Sequence, residues 1–459
     1  MKTARKRNQA PKNKDKILMG CIAGVLAVSI AVPVWLHTHR TGWEEKNGLH
    51  YYYEDGKMTT GWLRLEEGAY YLNMDGTRLS GWLEEDGLRR YFDRSGLMVE
   101  NGIVTEDGRR WLILDGVMAT GLNRYDGQLY YLDEEGVMVT GWADLDGERW
   151  YFDPESGIAP TGIQTIDGVT YGFAPHGPLA SGWLDVDGVT YRISGEGTPL
   201  PGGWHEIEGR TYYLSEDGSL YQGWLEDGGH TYYIQAGLYT TGILPLEGRN
   251  YFFDSRGWQI QMVNPWNSVP EVFEVDLRSV GGDHSIAAEA AVDFADMIYT
   301  LQQLEMGPII TSSYRSGTRQ KEIFEERVAK YMGQGMTEEE ARALTATSVA
   351  IPGTSEHQLG LAMDMTDAQY NKLDEGQMET PTQLWLIENS WRYGFILRYP
   401  EGKSEITGII YEPWHYRYVG KELAAELYEL GLTMEEYLDM LTEDKSLTAS
   451  NPENGNTMP

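Results

Sequence analysis

The sequence predicts a multidomain chain with an N-terminal transmembrane helix, an all-β solenoid of hairpin repeats, and a C-terminal α+β domain. Three observations carry this reading. Residues 17–36 are an uncharged apolar run behind a basic flank, glycine recurs every 19 to 21 residues from Gly42 to Gly242, and beyond about residue 270 the composition turns ordinary. With 459 residues, the chain is too long for one ordinary core, so several domains are expected from length alone.

Charge and cysteine usage narrow the function. The formal net charge is −33, from 70 acidic and 37 basic residues, and much of the basic charge sits in the first sixteen positions. Phosphate binding needs basic surface, so no nucleic-acid partner is expected. The one cysteine, Cys21, lies in the apolar run, which excludes disulfides, cysteine-rich zinc sites and cysteine nucleophiles.

At the N-terminus, Lys2, Arg5, Lys6, Arg7, Lys12, Lys14 and Lys16 precede Ile17 to Leu36. That run is roughly the length a helix needs to cross a bilayer. The basic flank, residues 1–16, is expected in the cytoplasm, with 17–36 as a membrane anchor and everything after it outside the cell. Ala27-Val28-Ser29 keeps a cleavable signal peptide as the alternative.

Residues 41–262 hold about eleven repeat units. Seven of the recurring glycines are followed by tryptophan: Trp43, Trp62, Trp82, Trp142, Trp183, Trp204 and Trp224. Ile103, Leu122, Ile163 and Ile243 take that place in the other four. Turns such as Asp126-Gly127 and aromatic runs such as Tyr130-Tyr131 follow. Asp-Gly between β-rich runs marks a tight hairpin, and the alternating aromatics give it one face to bury. A hairpin of this size cannot bury that face alone, so the units must stack.

Units such as Thr140-Gly141-Trp142-Ala143-Asp144-Leu145-Asp146-Gly147-Glu148-Arg149-Trp150-Tyr151-Phe152 resemble the choline-binding or glucan-binding cell-wall repeat family. The resemblance implies attachment to a wall polymer, and in choline-binding members aromatics of neighbouring repeats cage a quaternary ammonium by cation–π attraction. Trp142, Trp150 and Trp183, in units with the full aromatic set, are the candidates for such a cage. The competing reading makes these aromatics the solenoid's core.

The C-terminal domain is expected over 264–445, after a linker marked by Asn264-Pro265-Trp266 and Pro270, with a disordered polar tail over 446–459. Apolar spacing predicts a helix from Ser285 to Glu305, and Ile309 to Ser313 reads as a buried strand. Helices follow from Thr318 to about Met332 and from Thr337, where Thr337 and Glu340 form a capping box. Leu361 to Met365 alternates like a strand, with Leu361, Met363 and Met365 on one face and Asp364 on the other. A helix near Leu384–Arg392, a strand at 394–397, a β-rich run at 406–411 and two helices complete the domain. The last helix opens with Thr433 and Glu436 as a second capping box.

Two stretches of this domain carry chemistry: Ser355-Glu356-His357-Gln358-Leu359-Gly360-Leu361-Ala362-Met363-Asp364 and Tyr411-Glu412-Pro413-Trp414-His415. They offer two imidazoles and two carboxylates. Those ligand types suit zinc, and a carboxylate left over suits a general base beside it. His357 and Asp364 would fall on opposite faces of one straight strand, so Gly360 must bend the chain if both serve one metal. His284, in Gly281-Gly282-Asp283-His284, reads as a loop residue or the start of a helix.

Together with Ser313-Tyr314-Arg315-Ser316 and Gln320, these ordered motifs resemble the VanY-type D-alanyl-D-alanine carboxypeptidases, zinc peptidases that trim peptidoglycan stem peptides. The resemblance covers roughly 264–443. It implies that His357, Asp364 and His415 bind Zn2+, that Glu412 is the general base, and that Arg315, Gln320 and Ser355 line the substrate pocket. Glu356 is left as either a partner of a ligand or an exposed acid. The expected activity is release of the C-terminal D-alanine by an enzyme held at the membrane and the wall. An L,D-carboxypeptidase acting on tetrapeptide stems and an inactive wall-binding protein are the alternatives. A serine mechanism would need Ser-x-x-Lys, and no lysine has serine three positions before it.

Overall fold

The computed structural model describes residues 40–444 except 176 and 270–272. The basic segment 1–16, the apolar run 17–36 and the tail from 446 lie outside the described residues. The expectation of an N-terminal transmembrane helix is corrected: no helix among the described residues is long and apolar enough to cross a membrane. The longest have 16 residues, about 24 Å at helical rise against a hydrocarbon layer of about 30 Å. The described architecture is β-hairpin repeats followed by an α+β domain, with two compact units that divide between Ala180 and Ser181.

In the first unit each repeat is an antiparallel hairpin, for example Gly121–Tyr125 with Gln128–Leu132 and Gly141–Leu145 with Glu148–Phe152. The turn needs two left-handed residues, and Asp126 and Gly127 supply them at φ 49° and 78°. Consecutive repeats are stitched by backbone bonds such as Met98 N to Ala69 O and Met138 N to Arg110 O, both near 2.8 Å (2.8 and 2.7 Å). Leu72, Phe92, Ile113, Leu132, Phe152 and Phe173, each paired with the glycine that opens its hairpin, are almost fully buried. Stacking therefore supplies the core that a lone hairpin lacks.

The second unit continues with hairpins starting at Gly182, Gly203, Gly223 and Gly242 and carries the C-terminal domain. Strands and helices are numbered here from the start of that domain. A hairpin of β1 (Leu277–Gly281) and β2 (His284–Ala287) leads into α1 (Ala288–Gln303). Then come β3 (Pro308–Ser312), α2 (Gly317–Met332), α3 (Glu338–Ala346), β4 (Ala362–Asp367) and α4 (Pro381–Asn389). After them stand β5 (Phe395–Leu397), the short α5 (Ser404–Thr407), β6 (His415–Tyr418), α6 (Lys421–Leu430) and α7 (Met434–Glu443). The central sheet is antiparallel, in the order β3-β4-β6-β5.

One sheet face packs against α1. Leu361, Met363, Met365 and Tyr416 join Ala290, Phe294, Met297 and Leu301 in one buried cluster, and strand alternation sends Asp364 the other way. Both capping boxes form, at Thr337 with Glu340 and at Thr433 with Glu436.

Two expectations give way. The helix expected from Ser285 starts only at Ala288, because Gly281 and Gly282, at φ 110° and 58°, turn the chain into a hairpin that holds His284 to Ala287 as a strand. The β-rich 406–411 run makes no strand; Ser404–Thr407 closes a helical turn that Gly408 ends at φ 76°. The linker after the repeats is anchored as well: Met262 and Val263 are 7% and 3% exposed, each in a core cluster of the C-terminal domain. The final repeat docks through Ile243 N to Thr442 Oγ1 at 2.9 Å and Ser255 N to the Tyr437 hydroxyl at 2.9 Å.

Candidate metal and catalytic centre

The sheet positions two of the candidate ligands by register. Asp364, in β4, pairs directly with His415, the first residue of β6, and with Ser312 at the end of β3. His357 comes from a single 3-10 turn, Glu356–Leu359, closed by Gly360 at φ 70°. That left-handed value favours glycine, and a β-carbon there would stand 3.0 Å from the Ala287 backbone nitrogen. Gly360 thus bends the chain so that His357 and Asp364 face one point.

His357 Nε2 lies 3.2 Å from Asp364 Oδ2, and His415 Nδ1 lies 2.9 Å from Asp364 Oδ1. One ligand-type atom from each of the three residues falls within 4.8 Å of the others, and all three side chains are buried. Tetrahedral zinc with bonds of about 2.0–2.1 Å separates neighbouring ligand atoms by about 3.3 Å, so the spacing fits. The outer nitrogens are also accounted for. His357 Nδ1 donates to the Ser313 carbonyl at 2.8 Å, which leaves the Nε2 lone pair facing inward. His415 Nε2 stands 3.5 Å from Glu356 Oε2.

Glu412 closes the cluster, with Oε2 3.8 Å from His415 Nδ1. Burial pushes its carboxyl up to about 8; His415 opposes this and Asp364 adds to it. Burial also pulls His357 down to about 4, helped by the Arg315 charge. Burial acts the same way on His415, but its bonds to Asp364 and Glu356 outweigh it and raise it to about 9. Without metal, then, one imidazole is neutral and the other carries a proton between two carboxylates.

Arg315 stands beside this cluster, donating Nη2 to Asp364 Oδ2 at 2.9 Å, Nε to Ser312 Oγ at 2.7 Å and Nη1 to Gln320 Oε1 at 3.0 Å. Gln320 is fully buried behind it and gives its own amide to the Ala350 carbonyl at 2.7 Å, so its contact is with Arg315. Ser355 lines the same cavity of about 470 Å³ as Arg315, His357, Asp364, Glu412 and His415. His284 Nδ1 reaches Ser313 Oγ at 3.2 Å, in β2.

The sequence left Glu356 open, and the structure settles its surroundings. It is 1% exposed, accepts Arg398 Nε at 2.7 Å and lies 3.3 Å from Arg417 Nη1. Burial opposes its ionisation, but the two guanidinia outweigh burial and hold it well below the usual carboxylate range. Arg398 in turn grips Glu435 with Nη1 and Nη2 at 2.9 and 2.6 Å. Tyr399, whose ring lies tilted against His415 with centroids 4.8 Å apart, was also not singled out by sequence. Neither Arg398 nor Tyr399 lies in a motif stretch, and their signal was only an arginine directly after a short apolar strand.

The repeat tryptophans separate. Trp142 meets Tyr151 and Tyr171 edge-on at 5.0 Å each, with the Arg149 guanidinium 5.1 Å above its ring. Trp150 is opposite Ala143 in the same hairpin, on the other face, 5% exposed and stacked on Phe152. Trp183 lies 5.0 Å from Tyr212 and carries Arg192 at 5.0 Å. Trp142 has several aromatic neighbours, Trp183 has one, and Trp150 is core.

Known proteins share both parts. Residues 283–421 match the family model for VanY, D-alanyl-D-alanine carboxypeptidase, and 119–159 match the choline-binding repeat. A D-alanyl-D-alanine carboxypeptidase of Enterococcus faecalis is 42% identical over 188 residues, 40% of this chain and 68% of that protein. One from Enterococcus faecium is 41% identical over 142 residues, 31% of this chain and 40% of that protein. Among solved structures, a zinc complex of the D,D-pentapeptidase VanY from a VanB-type resistance cassette is 42% identical, covering 39% of this chain and 97% of that one at a TM-score of 0.36. With 42% identity across two thirds of the Enterococcus faecalis enzyme, this chain belongs to the VanY family of D-alanyl-D-alanine carboxypeptidases.

Proposed function

We propose that this protein is a zinc-dependent D,D-carboxypeptidase that hydrolyses the last peptide bond of peptidoglycan stem peptides and releases D-alanine, with residues 264–445 as the catalytic part and the repeats of 41–262 holding it to the wall. The observation that carries the reading is the convergence of His357, Asp364 and His415 with Glu412 and Arg315 in one cavity. Membership of the VanY family supplies the substrate class.

His357 through Nε2, Asp364 through a carboxylate oxygen and His415 through Nδ1 would hold the zinc, which when bound acts as a Lewis acid toward water and the scissile carbonyl. Glu412 takes the proton of the attacking water on a carboxylate oxygen and returns it to the departing amine of D-alanine. Its burial raises its basicity and keeps bulk water from competing for that proton. Arg315, fixed by Ser312 and Gln320, places a permanent positive charge where the carbonyl oxygen gains negative charge. Ser355 contributes a hydroxyl to the same wall.

On the repeats, the aromatic box around Trp142 and the pair of Trp183 with Tyr212 are the sites for a quaternary ammonium on a wall polymer. Their rings already hold the Arg149 and Arg192 cations, which is the chemistry a choline-type group would use.

The full chain, loaded with zinc, is to be incubated with pentapeptide and tetrapeptide stems while D-alanine is followed by mass spectrometry. Release from the pentapeptide is expected. Release from the tetrapeptide alone would reassign the enzyme as an L,D-carboxypeptidase, and no release from either would overturn the reading.

A further inference from the structure

The helix α2 borders the catalytic cavity with a stripe: Ile323, Arg327 and Tyr331, spaced four residues apart, all line it. Of these, Arg327 brings a full positive charge. Among the described residues it makes no hydrogen bond and no ion pair, although it is only partly exposed. The other cations around the site are taken. Arg315 is held by Ser312, Gln320 and Asp364, Arg398 by Glu356 and Glu435, and Arg417 by Glu356. Even the exposed Arg319 of the same helix is paired with Glu322. The carboxylates that face the cavity, Glu356, Asp364 and Glu412, form no ion pair with Arg327.

We propose that Arg327 is a specificity residue that receives a second, non-terminal carboxylate of the stem peptide, set back from the bond that is cut. This rests on the carboxypeptidase reading and adds a substrate preference to it. Helical rise puts Arg327 about 10 Å beyond Gln320, the residue whose amide touches Arg315 at the reaction centre. An extended peptide crosses that distance in about three residues. The anion that reaches Arg327 therefore sits upstream of the cut, whose carbonyl faces Arg315. Leu373, Ile409 and Ile410 line the same cavity, and apolar lining strengthens a guanidinium–carboxylate contact made within it.

The test uses the zinc-loaded full chain and a set of pentapeptide stems, identical except that each non-terminal carboxylate is in turn free or amidated. The unaltered protein is expected to prefer one free form by about tenfold or more in kcat/KM. In Arg327→Gln, KM for that stem should rise to match the amidated one while kcat stays within about twofold. Arg327→Lys should retain part of the preference. Stoichiometric zinc in each variant shows that the site is intact. Equal kcat/KM for free and amidated stems in the unaltered protein, or an undiminished preference in Arg327→Gln, overturns the proposal. If the unaltered protein releases no D-alanine from any stem, the carboxypeptidase reading itself fails, and this inference falls with it.

Discussion

Asp364 and His415 are direct partners across β4 and β6, with Oδ1 and Nδ1 2.9 Å apart. Backbone pairing between the two central strands of the sheet therefore sets how far apart two of the three candidate ligands are anchored, and loop motion cannot separate them. His357 completes the set from a turn held by the Ser313 carbonyl.

Replacing Glu412 with glutamine removes the proton acceptor and leaves the ligands in place. Turnover should fall by about a hundredfold to ten-thousandfold, with zinc still bound one to one by elemental analysis. Loss of the metal together with activity would instead make Glu412 a ligand.

Zinc affinity should rise with pH. His357 is lowered to about 4 and is neutral at pH 7, whereas His415 is raised to about 9 and still carries the proton that zinc must displace. One proton is released per zinc, so the affinity should climb about tenfold per pH unit from pH 6 to 8, measured by competition with a chelator. A flat profile would show that His415 is already neutral.

Glu356→Gln strips the charge partner from the buried Arg398 and Arg417 and weakens the contact to His415 Nε2. We expect a loss of about 3–5 kcal/mol in urea unfolding of the C-terminal domain. Zinc affinity should also fall about 10–100-fold. Unchanged metal affinity in a folded variant would remove Glu356 from the support of His415.

Gly177→Ala tests the packing of the repeats. At φ 105° the added β-carbon would stand 2.5 Å from the Trp150 ring, and an indole stacked in the core cannot retreat freely. A destabilisation of about 1–3 kcal/mol is expected, read from tryptophan fluorescence on unfolding, and no change would mean that Trp150 is loosely held.

Much of this was legible in the chain because it is local. The hairpin turns need Asp-Gly at fixed spacing, the capping boxes at Thr337 and Thr433 need only residues three apart, and Gly360 was readable as the bend between His357 and Asp364. The failures also have local causes. The apolar run of Ser285–Ala287 fits helix and strand alike, and the paired glycines before it decide for the hairpin. At 406–411, β-branched residues were overruled by Gly408 and the turn it ends.

By itself the sequence determined the repeat period, the succession of β-hairpins and α+β domain, and the identity of the residues that converge at the candidate centre. Only the tertiary structure decided what stands behind them: Glu356 buried between Arg398 and Arg417, Gln320 set behind Arg315, and Trp150 in the core while Trp142 stands in an aromatic box. The reason is physical. A turn or a cap is settled by a few neighbouring residues, but the partner of a buried charge is chosen by which distant segments the sheet brings within about 3 Å, and a linear spacing does not contain that distance.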